Sequence, residues 1–231
     1  MVMSRRRLDM QPRTRSIGIK ESEGTKELKT RIVLITEGEA TEPDYFLVSI
    51  RDLVNEDRIS IDFVGKHSGD YGKLVGFAKE AERKSSKGGM TEYWIVADTE
   101  DYRKYPEDFR SLTDWAEESD YHNLALSNTM FEVWVLMHGS GQMASSFSKS
   151  AIHRSMQQLQ SKNGKAGPLA RYSDSNKHLN RVQFSKKEVK DAIQLAKSKR
   201  STFGTGTAKL PPLQQGTTTV DLLVTKITGI C

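Results

Sequence analysis

The sequence predicts an α/β protein: a mainly parallel sheet of about four strands flanked by helices, with a helical, basic carboxyl-terminal part. Two observations carry this. Short runs rich in Ile, Val and aromatic residues alternate with stretches of ten or more residues whose apolar positions recur at helical spacing. The strand runs are apolar nearly throughout, as in parallel strands covered on both faces.

Residues 1–30 are polar, carry Arg5, Arg6, Arg7, Arg13 and Arg15, and lack periodic apolar residues, which predicts a flexible basic tail. Order begins at Ile32 with the strand IVLIT (32–36). An amphipathic helix with Phe46, Leu47, Ile50, Leu53 and Val54 leads to the strand ISIDFV (59–64). A second helix uses Leu74, Val75, Ala78 and Ala81 and stops near the glycines of KGG (87–89). EYWIVAD (92–98) is the third strand, Pro106 opens a helix with Phe109, Leu112 and Trp115 on one face, and NLALSN (123–128) is the fourth strand. Residues 31–140 thus form the sheet domain.

Residues 141–231 form a basic, mostly helical region packing on that domain. At the junction, MFEVWVLMH (130–138) reads as a buried helix or as a strand, because so short a run has no decisive period. Residues 139–180 are rich in Gly, Ser, Lys and Asn, with helical fragments around 150–160. KKEVKDAIQLAKSKR (186–200) is a basic helix with Val189, Ile193 and Leu195 or Ala196 facing inward. Residues 201–216 carry too much Gly, Pro and Thr for regular structure. TTTVDLLVTKITG (217–229) is a last short helix with threonines available as N-cap.

Charge divides the 231-residue chain more sharply than its net +5 suggests. Residues 32–148 hold 22 acidic against 11 basic residues, and residues 149–210 hold 14 basic against 3 acidic. The acidic half suits cation binding, and the basic half suits a polyanion whose condensed counterions are released on contact. The single cysteine, Cys231, excludes an internal disulfide and a cysteine-based zinc site. No apolar run approaches the roughly 20 residues of a membrane span, and the amino end has no apolar stretch for a signal sequence. A cytoplasmic protein with no membrane association is expected.

In parallel sheets the functional crevice lies at the carboxyl ends of the strands. The first strand delivers Glu37 and Glu39 there, with Glu42 just after, and the third delivers Asp98 and Glu100, with Asp101 beside them. Asp98 and Glu100, two apart on an extended chain, point to one side. If the first and third strands are neighbours, Glu37, Asp98 and Glu100 share a pocket whose hard oxygens suit Mg²⁺ or Mn²⁺. Gly38 permits a tight turn beside the acid. His67 and Lys73 follow the second strand on the same edge, where either can orient a phosphate or serve as a base. GKHSGDYGK (65–73) is not a P-loop, since His67 replaces its first glycine and Leu74 its hydroxyl residue. Glu132, between Phe131 and Val133 in an apolar segment, requires a partner or a nearby cation. His138, at the end of that segment, fits a satisfied structural histidine.

IVLITEGEATEPDYF, WIVADTEDY and ALSNTMFEVWVLMH resemble, in order and spacing, the RloB-like proteins, whose fold belongs to the Toprim group shared with topoisomerases, primases and OLD-type nucleases. The resemblance covers residues 31–138 well and extends thinly to the carboxyl end. It implies that Glu37 is the general acid or base, that Asp98 and Glu100 hold Mg²⁺ in place of an Asp-x-Asp pair, and that Glu132 is a supporting, metal-facing acid. Departures are Glu100 for the second aspartate, Thr99 where arginine is frequent, and Thr129 where proline is usual. The family's members typically stand beside ABC- or AAA-type ATPases in bacterial anti-phage loci. The expectation is a metal-dependent nuclease acting on DNA or tRNA as effector of such a defence system, with an ATPase partner; homo-oligomerisation is left open. The alternative is a catalytically silent subunit that docks on an ATPase and nucleic acid.

Overall fold

The computed structural model describes residues 29–65, 70–85, 90–99, 106–139, 146–159, 172–173, 175–179, 182–203, 207–209 and 214–231. Its centre is a five-stranded sheet: β1 (Thr30–Thr36), β2 (Ile59–Gly65), β3 (Thr91–Asp98), β4 (His122–Asn128) and β5 (Thr217–Thr218), in the order β2-β1-β3-β4-β5. The first four strands are parallel, as predicted, and β5 runs antiparallel to β4. The chain steps from β1 to β2 on one side and crosses back to β3 on the other, so the order reverses between β1 and β3. That reversal opens a crevice at the strands' carboxyl ends.

Alternation along the strands divides the interior into two cores. Val33, Ile35, Tyr93, Ile95, Ala97, Leu124 and Leu126 face α2 (Tyr71–Lys84) and α3 (Pro106–Glu117), meeting Leu74, Ala78, Phe109, Leu112 and Trp115. Ile32, Leu34, Trp94, Val96 and Ala125 face the other way, into a larger core. That core includes α4 (Glu132–Leu136), α5 (Lys149–Gln158), α6 (Lys186–Phe203) and α7 (Val220–Thr228), so residues before and after position 140 share one interior.

The helix expected over 46–54 is broken. A short turn of helix, α1 (Thr41–Asp44), widens into a π turn over Tyr45–Ser49 and ends in a 3₁₀ turn over Arg51–Leu53. The Ile50 N–H reaches back to the Tyr45 carbonyl at 3.1 Å, a wider loop than an α-helix closes. Tyr45, Phe46 and Ile50 are buried by this path. The 130–138 segment is helical from Glu132 to Leu136. His138 is structural: its Nδ1 lies 3.1 and 3.2 Å from the Trp134 and Val135 carbonyls, which makes Nδ1 the protonated nitrogen, and Nε2 accepts from the Tyr45 hydroxyl at 2.9 Å.

The carboxyl-terminal helices have ordinary local causes. Ser185 and Glu188 form a capping box at the start of α6, with N–H bonds of 2.8 and 3.3 Å. Thr219 occupies the N-cap of α7, but its hydroxyl accepts the Leu126 N–H at 2.9 Å rather than a helix N–H. Strand β5 is too short to pair the whole of β4, and this hydroxyl satisfies a backbone donor that burial would otherwise leave orphaned. Arg200, in α6, makes a buried bidentate pair with Asp221 in α7; burial raises the Asp221 carboxyl's pKa even though Arg200 opposes it. Among the described residues no helix is long and apolar enough to cross a membrane.

Candidate functional site

The crevice between β1 and β3 holds a cleft of about 330 Å³ lined by acidic residues. Glu37, the first residue past β1, and Asp98, the last of β3, are brought together by the pairing of their strands, with Thr36 opposite Val96. The Asp98 N–H donates to Glu37 Oε2 at 2.9 Å. Asp98 is fixed in turn: its Oδ1 accepts the Phe131 N–H at 2.7 Å, and its carbonyl accepts the Tyr71 hydroxyl at 2.7 Å. Three elements therefore converge on two carboxylates. The adjacency on which the sequence reading depended is present.

Glu42 enters from α1, buried, with its Oε1 accepting the Gly38 N–H at 3.1 Å. Burial, followed by the charges of Glu132 and Glu37, raises its pKa from 4.5 to about 7, against the opposing pull of backbone N–H groups. Glu132 is also buried and accepts a hydrogen bond from the Tyr172 hydroxyl, whose oxygen lies 3.1 Å from Thr41 Oγ1. Burial and the Glu132 charge push the Tyr172 hydroxyl far above its ordinary pKa, so it remains a donor.

Glu37, Gly38, Glu39, Glu42, Asp98 and Glu132 all line the cleft. Glu39 is exposed at its rim. Lys73 lies elsewhere: it is exposed in the first turn of α2, 3.6 Å from Asp70, whose side chain caps that helix by accepting the Lys73 N–H. Glu100 and His67 lie outside the described residues. Four polar cleft residues were not legible in the sequence: Thr41, Ser175, Lys177 and His178. Tyr172, beside the cleft, was missed as well.

Among the described residues, no three His, Cys, Asp or Glu side chains are grouped closely enough to hold one metal ion. The oxygen donors of Glu37 and Asp98 still fit a Mg²⁺-type ion, which commonly takes one or two carboxylates and completes its shell with water and phosphate oxygens.

An acid-lined crevice at the reversal point of a mostly parallel sheet defines the chain as an α/β protein with a carboxylate-bearing candidate site. The family model of the RloB-like proteins matches residues 32–227, and the chain belongs to this family. Neither a comparison with curated proteins nor one with solved structures returns a match.

Proposed function

We propose that the chain is a Toprim-type, Mg²⁺- or Mn²⁺-dependent nuclease that cleaves phosphodiester bonds of DNA or tRNA. The observation that carries the reading is the Asp98 N–H bond to the Glu37 carboxylate, which joins the acidic ends of β1 and β3 in one cleft. Glu37, Asp98 and Glu100 would hold the ion. When bound, it polarises a phosphoryl oxygen and stabilises the leaving oxyanion. Glu37, oriented by the Asp98 N–H, either takes the proton of the attacking water as general base or gives a proton to the leaving oxygen as general acid. Asp98 is kept in place by Phe131 and Tyr71, and the Tyr172–Glu132–Thr41 group stiffens the floor. Basic residues of 149–210 hold the nucleic-acid backbone. Family membership supports a role beside an ABC- or AAA-type ATPase in anti-phage defence. Purified protein, alone and with that ATPase, is expected to cut a labelled DNA and tRNA panel only with divalent metal. Full activity in Glu37→Gln or Asp98→Asn would defeat the assignment.

The engagement of Asp98 Oδ1 by a backbone N–H favours one second reading, in which the carboxylates pin strands together and the chain is a silent binding subunit. Calorimetric titration with Mg²⁺ and Mn²⁺ separates the two, since no binding at millimolar concentration supports the silent subunit.

A further inference from the structure

We infer that Lys177, with His178 beside it, forms a basic lip that receives a backbone phosphate of the nucleic acid at the acidic cleft, an assignment that rests on the nuclease reading of that cleft. Among the described residues, five carboxylates line it: Glu37, Glu39, Glu42, Asp98 and Glu132. A phosphodiester approaching them meets charge of its own sign, and a cation at the mouth offsets that repulsion. Among the described residues Lys177 and His178 are the two basic side chains in the lining, and both come from the basic half of the chain.

Their segment is held against α1 by its main chain. Thr41 Oγ1 donates to the Lys177 carbonyl at 3.0 Å. Asp44 Oδ2 accepts the Leu179 N–H and His178 Nδ1, each at 3.0 Å. Just upstream, Ser173 and Asn176 close a tight turn through backbone bonds of 3.0 and 3.3 Å. These anchors run through the Lys177 carbonyl, the Leu179 N–H and the His178 ring. Two other cations of the basic region serve the fold. Arg200 is buried against Asp221, and the Lys209 ammonium donates to the carbonyls of Ala116 and Ser119, both at 2.7 Å, and of His122. Charge count alone therefore overstates the surface offered to a polyanion.

The test is fluorescence anisotropy with the full chain in EDTA, using a short labelled single-stranded DNA and a labelled tRNA over a salt series. Lys177→Ala and Lys177→Gln are expected to bind more weakly and to flatten the slope of log affinity against log salt by about 0.7, one phosphate contact on a single strand. Lys177→Arg should keep the wild-type slope. Lys84→Ala removes an exposed lysine of α2 that does not line the cleft, and should leave the slope unchanged. Wild-type slopes in both Lys177 variants, or an equal flattening in Lys84→Ala, overturn the inference. If the wild type binds in EDTA and cleaves once Mg²⁺ is restored while the Lys177 variants match it in both, the lip alone falls; if it binds neither probe, the nuclease reading falls with it.

Discussion

The Glu42 carboxylate fills the space in which a Cβ on Gly38 would lie, and it accepts the Gly38 N–H at 3.1 Å. A Cβ at 38 would displace the Glu42 carboxylate, which folds back over the turn. Gly38→Ala should cost about 1–3 kcal/mol, the usual range for overpacking. Making the same change in a Glu42→Ala background should cost much less, and a double-mutant cycle from urea denaturation reads the coupling directly.

Two buried groups give stability opposing pH dependences. Glu42 titrates near 7 folded and near 4.5 otherwise, so the folded state binds the extra proton and stability falls as pH rises from 4.5 to 7. Glu42→Gln removes this, and its stability relative to the wild type should rise by on the order of 3 kcal/mol across that window in EDTA.

His138 works the other way. Burial lowers its pKa from 6.5 to about 4, so the unfolded chain binds the extra proton and stability is lost as pH falls from 6.5 to 4. His138→Gln should flatten the acid limb of the wild-type profile, measured as denaturation midpoints over the same buffers.

Tyr172 ties the basic region to the cleft floor. Tyr172→Phe keeps the ring and leaves the buried Glu132 carboxylate without that donor, which should cost about 1–3 kcal/mol. In a Glu132→Gln background the loss should shrink, because a neutral amide costs less to leave unmatched.

Much of this architecture is readable in advance, for identifiable reasons. β1 and β3 are continuous apolar runs ending in acids, so their burial and their exits are written in the residues themselves. Their adjacency is not, because no local pattern states which strands pair. β5 escaped notice because two threonines make no period, and their role depends on contacts with Ser127 and Leu126. The broken helix over 41–53 keeps an amphipathic pattern while its hydrogen bonding changes from turn to turn. Tyr172, Lys177 and His178 sit in or beside a stretch with no apolar rhythm. Thr41 and Asp44, 131 to 136 residues earlier, determine where that segment lies. Glu132 was legible as an anomaly, a carboxylate inside an apolar run, though its partner was not.

The most direct test of the metal role proposed for the cleft is anomalous diffraction from crystals soaked in Mn²⁺ at millimolar concentration. A peak about 2.0–2.2 Å from carboxylate oxygens of both Glu37 and Asp98, absent in Asp98→Asn, is the predicted result. No peak in the cleft, or one bound by neither residue, would contradict it.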